Sequence, residues 1–187
     1  EERRNRRPFP KWLAWLIACT MVLNLIASLP QTLSIPAVDF LITSAKLSQD
    51  KAIRTYKEAV VVVQTEDSKG TGFSINQSGD IVTNDHVIEG YDKVTIAFPK
   101  HGLYVGTVTE RYPEVDLAVV TIEHDEDMPY LTLADHFDGD LDKSIYFIGN
   151  PLQFNGIANE GSIIDWIHVS SKLEPVVMLD APVYRGN

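Results

Sequence analysis

The chain has 187 residues, 26 of them acidic against 16 basic, a formal net charge of −10 and a single cysteine. That length holds one good-sized domain, or one plus part of another, and a lone cysteine excludes an internal disulfide framework. Five of the basic residues, Arg3, Arg4, Arg6, Arg7 and Lys11, precede the first apolar run. The remainder is therefore strongly acidic and lacks the clustered Lys and Arg that a nucleic-acid partner requires.

Arg3-Arg4-Asn5-Arg6-Arg7 leads into an apolar run from Trp12 to Leu29, interrupted by Cys19, Thr20, Asn24 and Ser28 and closed by Pro30. The run approaches the roughly 20 residues a helix needs to cross a bilayer. A basic flank holds the N-terminus in the cytoplasm, and Trp12 and Trp15 suit a membrane interface. The expected layout is a basic cytoplasmic arm over 1–11 and a transmembrane helix or signal anchor over 12–30. The alternatives are a cleaved signal peptide and a buried soluble helix. Leu16-Ile17-Ala18-Cys19 fits a lipoprotein cleavage pattern, but the apolar run continues well past Cys19. Residues 31–56 read as a partly helical linker: Val38, Leu41, Ile42 and Ala45 recur at helical spacing, which predicts one or two short helices in a spacer.

From Ala59 the period changes from helical to β. Ala59 to Val63 is an apolar strand, and Lys69-Gly70-Thr71-Gly72 reads as a turn whose glycines allow close backbone approach. Gly72 to Ile75, a polar turn at Asn76 to Asp80, and Ile81-Val82-Thr83 form a predicted hairpin. His86 follows in Thr83-Asn84-Asp85-His86-Val87, where a strand gives way to a turn. A histidine there can cap or pack as well as catalyse. Val94, Ile96 and Phe98 alternate with Lys93, Thr95 and Ala97 as in a half-buried strand, and Leu103 to Val108 and Asp116 to Glu123 supply two more. In Val115-Asp116-Leu117-Ala118-Val119-Val120 an acid stands just before an apolar strand, where desolvation is expensive unless the carboxylate has a partner. A neutral histidine is such a partner.

The acidic segments Glu123 to Asp127 and Asp138 to Asp142 read as solvated loops. As a calcium loop the second would need glycine at its sixth position and an acid at its twelfth, where Lys143 and Gly149 stand. Ser144 to Ile148, Gly161 to Val169 and Pro175 to Leu179 restart the β pattern. Short strands with no long amphipathic helix between them predict an antiparallel sandwich or barrel.

Thr83-Asn84-Asp85-His86-Val87, Val115-Asp116-Leu117-Ala118-Val119 and Asp180-Ala181-Pro182-Val183-Tyr184-Arg185-Gly186-Asn187 resemble, in that order, the three signature blocks of trypsin-fold serine proteases of the bacterial HtrA-like branch. The resemblance covers about Lys57 to Asn187. It implies an all-β, chymotrypsin-like double barrel, with the first barrel over 57–135 and the start of a truncated second over 136–187. The family's third block runs Gly-Asn-Ser-Gly-Gly, and the chain reaches only its Asn187, so it reads as a fragment stopping one residue before the nucleophile. The absence of disulfides suits the bacterial branch.

A serine hydroxyl is a weak nucleophile near neutral pH and needs a base such as imidazole within hydrogen-bond reach. The imidazole in turn needs a carboxylate to orient it, whose loss in a well-studied case costs roughly 10⁴ in turnover. By family position His86 is the base and Asp116 its orienting acid. Gly186 and Asn187 belong to the oxyanion and nucleophile loop, and Val183 lines a pocket for small or medium apolar side chains. His101, His124, His136 and His168 match no block and read as surface or packing residues. The resemblance implies protein or peptide substrates, no metal and no organic cofactor, and is compatible with a homo-oligomer. The function it implies is a membrane-anchored endopeptidase facing outwards, and the alternative is a pseudo-protease or peptide-binding module on the same fold.

Overall fold

The computed structural model describes residues 11–32, 35–136, 140–151, 154–169 and 175–182. The chain divides into two compact units, Glu1–Asp39 and Phe40–Asn187.

In the first unit, helix α1 (Lys11–Thr32) forms where the apolar run predicts a helix. Among the described residues, however, no helix is long and apolar enough to cross a membrane, so the expected transmembrane span is not found. Among the described side chains of α1, Trp12, Trp15, Met21 and Leu23 are exposed.

The linker holds two helices, α2 (Ile35–Leu47) and α3 (Lys51–Ala59). From Phe40 onward it is more than a spacer. Phe40, Ser44 and Ile53 are buried, and Ser44 Oγ accepts the backbone N–H of Ala158 at 3.0 Å. Asp50 caps α3, accepting the N–H groups of Ala52 at 2.6 Å and Ile53 at 3.4 Å. Such a cap satisfies donors that the first helical turn cannot pair.

Six antiparallel strands follow: β1 (Val60–Gln64), β2 (Lys69–Ser74), β3 (Asp80–Thr83), β4 (Lys93–Phe98), β5 (Gly102–Tyr112) and β6 (Leu117–Ile122). They close into a barrel in the order β1-β2-β3-β6-β5-β4, which bears out the first barrel and leaves it no free edge. Val61, Val63, Ile81, Ile96, Ala118 and Val120 fill its interior, as alternation along each strand requires. One local expectation fails: Lys69 to Gly72 is not a turn but the start of β2, paired Val63↔Gly70 and Val61↔Gly72. The reversal lies just before it, where Thr65 N–H donates to Ser68 O at 2.9 Å. These glycines serve by lacking a side chain, since a Cβ on Gly72 would lie 2.8 Å from Val63 Cγ2 and one on Gly70 2.6 Å from Val87 Cγ2.

Among the described residues the second part is a three-stranded antiparallel sheet, β7 (Ser144–Gly149), β8 (Ile157–Ile167) and β9 (Val176–Asp180), in the order β7-β8-β9. Asn150, at the end of β7, ties this sheet to the barrel. Its Nδ2 donates to Val61 O at 2.8 Å, its N–H donates to Thr71 Oγ1 at 2.8 Å, and its Oδ1 accepts Gly156 N–H at 2.8 Å.

Candidate active site

β3 pairs with β6 along Asp80↔Thr121 to Thr83↔Ala118. Antiparallel pairing puts the end of β3 beside the start of β6, so residues 30 apart in sequence meet at one mouth of the barrel. His86 sits there on a short 3-10 turn, Asp85–Val87, which follows β3 directly. Val87 anchors the turn by packing into the space that Gly70 leaves free. On the other side, Asp116 ends the β5–β6 turn with φ +57°, a left-handed conformation that aspartate tolerates better than most residues.

The two side chains are bonded. His86 Nδ1 lies 2.8 Å from Asp116 Oδ2 and 3.0 Å from Oδ1, and the His86 backbone N–H donates to Oδ1 at 3.0 Å. Asn84 Nδ2 donates to the Asp116 backbone carbonyl at 3.1 Å and to Oδ2 at 3.2 Å. Burial alone would raise the Asp116 carboxyl, but the His86 backbone and ring and the Asn84 amide outweigh it, and the group is held below its ordinary value. An ionised carboxylate only accepts, so in neutral His86 the proton sits on Nδ1 and Nε2 keeps its lone pair. The site therefore presents an oriented base nitrogen, and a carboxylate placed to stabilise the imidazolium if that nitrogen takes a proton.

The expectation that Asp116 is desolvated is only partly met. Its side chain is 41% exposed and that of His86 67% exposed, because both stand on turns at the barrel mouth rather than inside it. Sequence reasoning misses Asn84 as a site residue, although it lies in the block that carries His86; its role depends on Asp116 arriving from a distant turn. Val183, Gly186 and Asn187 lie outside the described residues. His101 packs edge-on against Phe98, 6.2 Å between ring centroids, and His124 Nδ1 lies 2.5 Å from the backbone carbonyl of Glu126, so neither approaches the pair.

Comparison with known proteins points the same way. The solved crystal structure of the Rv3671c protease in its inactive form superposes with a TM-score of 0.65 at 24% identity, over 75% of this chain and 74% of that one, which shows the fold. The chain is similar to the "Probable periplasmic serine endoprotease DegP-like" of Chlamydia pneumoniae, 30% identical over 123 residues that make up 64% of this chain and 25% of that protein. It is also similar to "Serine protease HTR4" of Rattus norvegicus, 30% identical over 96 residues, 51% of this chain and 20% of the relative. The chain thus spans about a quarter of the length of these curated relatives. These likenesses bear out the resemblance to HtrA-like serine proteases. A family model, the trypsin-like peptidase domain, matches residues 70–187, more than half of the sequence, and the chain belongs to that family.

Proposed function

We propose that this chain carries the base and orienting acid of a serine endopeptidase of the HtrA type, acting on proteins outside the cytoplasm. The observation that carries the reading is the His86–Asp116 pair, with Nδ1 on the carboxylate and Nε2 turned to its other side. In this mechanism the Nε2 lone pair takes the proton of a serine hydroxyl as it attacks the scissile carbonyl, and Asp116 stabilises the resulting imidazolium. His86 then returns the proton to the leaving amine. By family position the serine follows Asn187, its N–H and that of Gly186 meet the oxyanion, and Val183 favours small or medium apolar side chains in the substrate.

The periplasmic naming of the bacterial relatives supports work outside the cytoplasm. We further propose that α1 attaches the protein to a membrane. Attachment is supported by Arg3, Arg4, Arg6 and Arg7 ahead of the helix and by its exposed Trp12 and Trp15. Recovery of the protein in the detergent-extracted fraction supports attachment, and recovery in the soluble fraction refutes it.

The catalytic test compares residues 1–187 with the gene-length protein on casein. The longer protein should cleave, with His86→Ala lowering turnover by about 10⁶, while residues 1–187 should be inactive. A gene-length protein without serine after Asn187, or one that loses nothing on His86→Ala, overturns the mechanism.

A further inference from the structure

The turn that carries His86 is held from two directions. Asn84 and His86 reach towards Asp116, whereas Asp85, between them, is 8% exposed and faces elsewhere. Its Oδ1 accepts from Arg111 Nε at 2.6 Å. A buried carboxylate without a partner is costly, so Arg111 is what allows Asp85 to lie under the turn.

Arg111 reaches that position through a defect in the β5–β6 ladder. The pairing runs Val108↔Val120, then jumps to Glu110↔Val119 and Arg111↔Ala118. The extra residue, Thr109, makes a β-bulge, with its hydroxyl donating to Val119 O at 3.2 Å. Directly paired residues share a face, and Ala118, like Val120, is wholly buried inside the barrel. Without the bulge the inward face would carry Glu110 opposite Ala118, an acid against the acid of Asp85. With the bulge it carries Arg111. The Asp85 hydrogen bond raises the guanidinium above its ordinary value against the opposing effect of burial, and Glu89 and Asp92 add to the field that favours the cation.

Arg111 also stands at the start of the short turn that ends in Asp116. Val115 N–H donates to Tyr112 O and Asp116 N–H to Pro113 O, each at 3.2 Å, so the turn is braced internally. One β5–β6 connection thus grips the histidine turn at both sides, with Arg111 on Asp85 and Asp116 on Asn84 and His86. We propose that Arg111 is a positioning residue for His86, acting through Asp85 to fix the turn so that the imidazole keeps Nδ1 on Asp116 and Nε2 aimed at the nucleophile. The proposal rests on the serine-endopeptidase reading for its effect on turnover, but not for its effect on the ring.

Two measurements on Arg111→Met and Asp85→Asn separate these. In residues 1–187, the ¹⁵N shifts of the His86 ring report which nitrogen carries the proton. The wild-type chain should show the Nδ1–H tautomer, and either substitution should shift the ring towards a mixture, with Arg111→Lys restoring it. In the gene-length protein either substitution should lower kcat by about 10- to 100-fold with KM little changed, as expected when a catalytic group is displaced while substrate binding is kept. The double variant should lose no more than either single one, because the two residues act as one unit. If Arg111→Met does not fold, Asp85→Asn, which removes the buried charge and keeps the shape, decides alone. An unchanged ring spectrum in a folded variant, or a kcat loss that Arg111→Lys fails to restore, overturns the proposal. Should His86→Ala retain activity, the protease reading fails, while the ring spectrum still tests the link from Arg111 to His86.

Discussion

Asp116 combines a backbone requirement with a chemical one, and a single substitution separates them. Its left-handed φ of +57° strains most side chains, but asparagine tolerates that region as well as aspartate does. Asp116→Asn should therefore fold, yet its amide cannot replace a carboxylate that accepts both the His86 backbone N–H and ring Nδ1–H. Turnover in the gene-length protein should fall by roughly 10⁴. The pH dependence of stability supplies a second check. The hydrogen bonds from His86 and Asn84 hold the Asp116 carboxyl below its unfolded value of 3.8 despite the opposing effect of burial, so its stabilising contribution is present above that value and disappears as pH falls through the lower folded one. The difference in melting temperature between wild type and Asp116→Asn should thus be greatest near neutral pH and shrink in acid. A difference that widens in acid contradicts the sign. Both members of this pair are legible in the sequence, because each lies in a short block of recognisable composition. Asp85 and Arg111 are not, since nothing local marks residues 26 apart as partners and the bulge that aligns them leaves no signature in the run Val108-Thr109-Glu110-Arg111.

At the scale of elements, strand positions follow from alternation, as in β4, whose Val94, Ile96 and Phe98 point inward as expected. Glycine misleads where its missing side chain matters more than its backbone freedom, at Gly70 and Gly72 in β2. The join between the two sheets is also hidden from sequence, because Asn150 acts through a side chain and an N–H whose partners, Val61 and Thr71, come from β1 and β2. Asn150 is 3% exposed, and cutting its side chain back to Ala strands the N–H of Gly156 and removes a donor from the Val61 carbonyl. Each such loss costs about 1–3 kcal/mol, so Asn150→Ala should lower stability by about 3 kcal/mol. The drop should appear in the denaturant midpoint with little change in slope. Leu, closer in volume, should not rescue it, which distinguishes a broken hydrogen-bond network from a packing void.

For the whole molecule, the boundary between compact units falls at Asp39 and Phe40, inside the segment that reads from sequence as a linker. The residues after it contribute to the fold of the second unit in three ways. Phe40 is 6% exposed, Ser44 Oγ takes the backbone N–H of Ala158 in β8, and Asp50 caps α3, which leads directly into β1. Deleting 1–39 removes none of these. Deleting 1–50 removes all three: a buried aromatic side chain worth about 3–5 kcal/mol, an acceptor whose loss leaves the buried Ala158 N–H unpaired, and a cap worth about 1 kcal/mol. The sum is comparable to the whole stability of a typical domain, about 5–15 kcal/mol. A chain beginning at Phe40 should therefore melt within a few degrees of residues 1–187, whereas one beginning at Lys51 should be largely unfolded at 25 °C. Equal melting of all three chains would mean that α2 and the Asp50 cap contribute nothing to the barrel and its attached sheet. A large loss already at Phe40 would mean that residues 1–39 stabilise the second unit. The His86–Asp116 pair makes the comparison functional as well as thermodynamic, because both its strands belong to the barrel that Phe40, Ser44 and Asp50 help to hold. The Nδ1–H tautomer of His86 should persist in the chain beginning at Phe40 and disappear in the one beginning at Lys51.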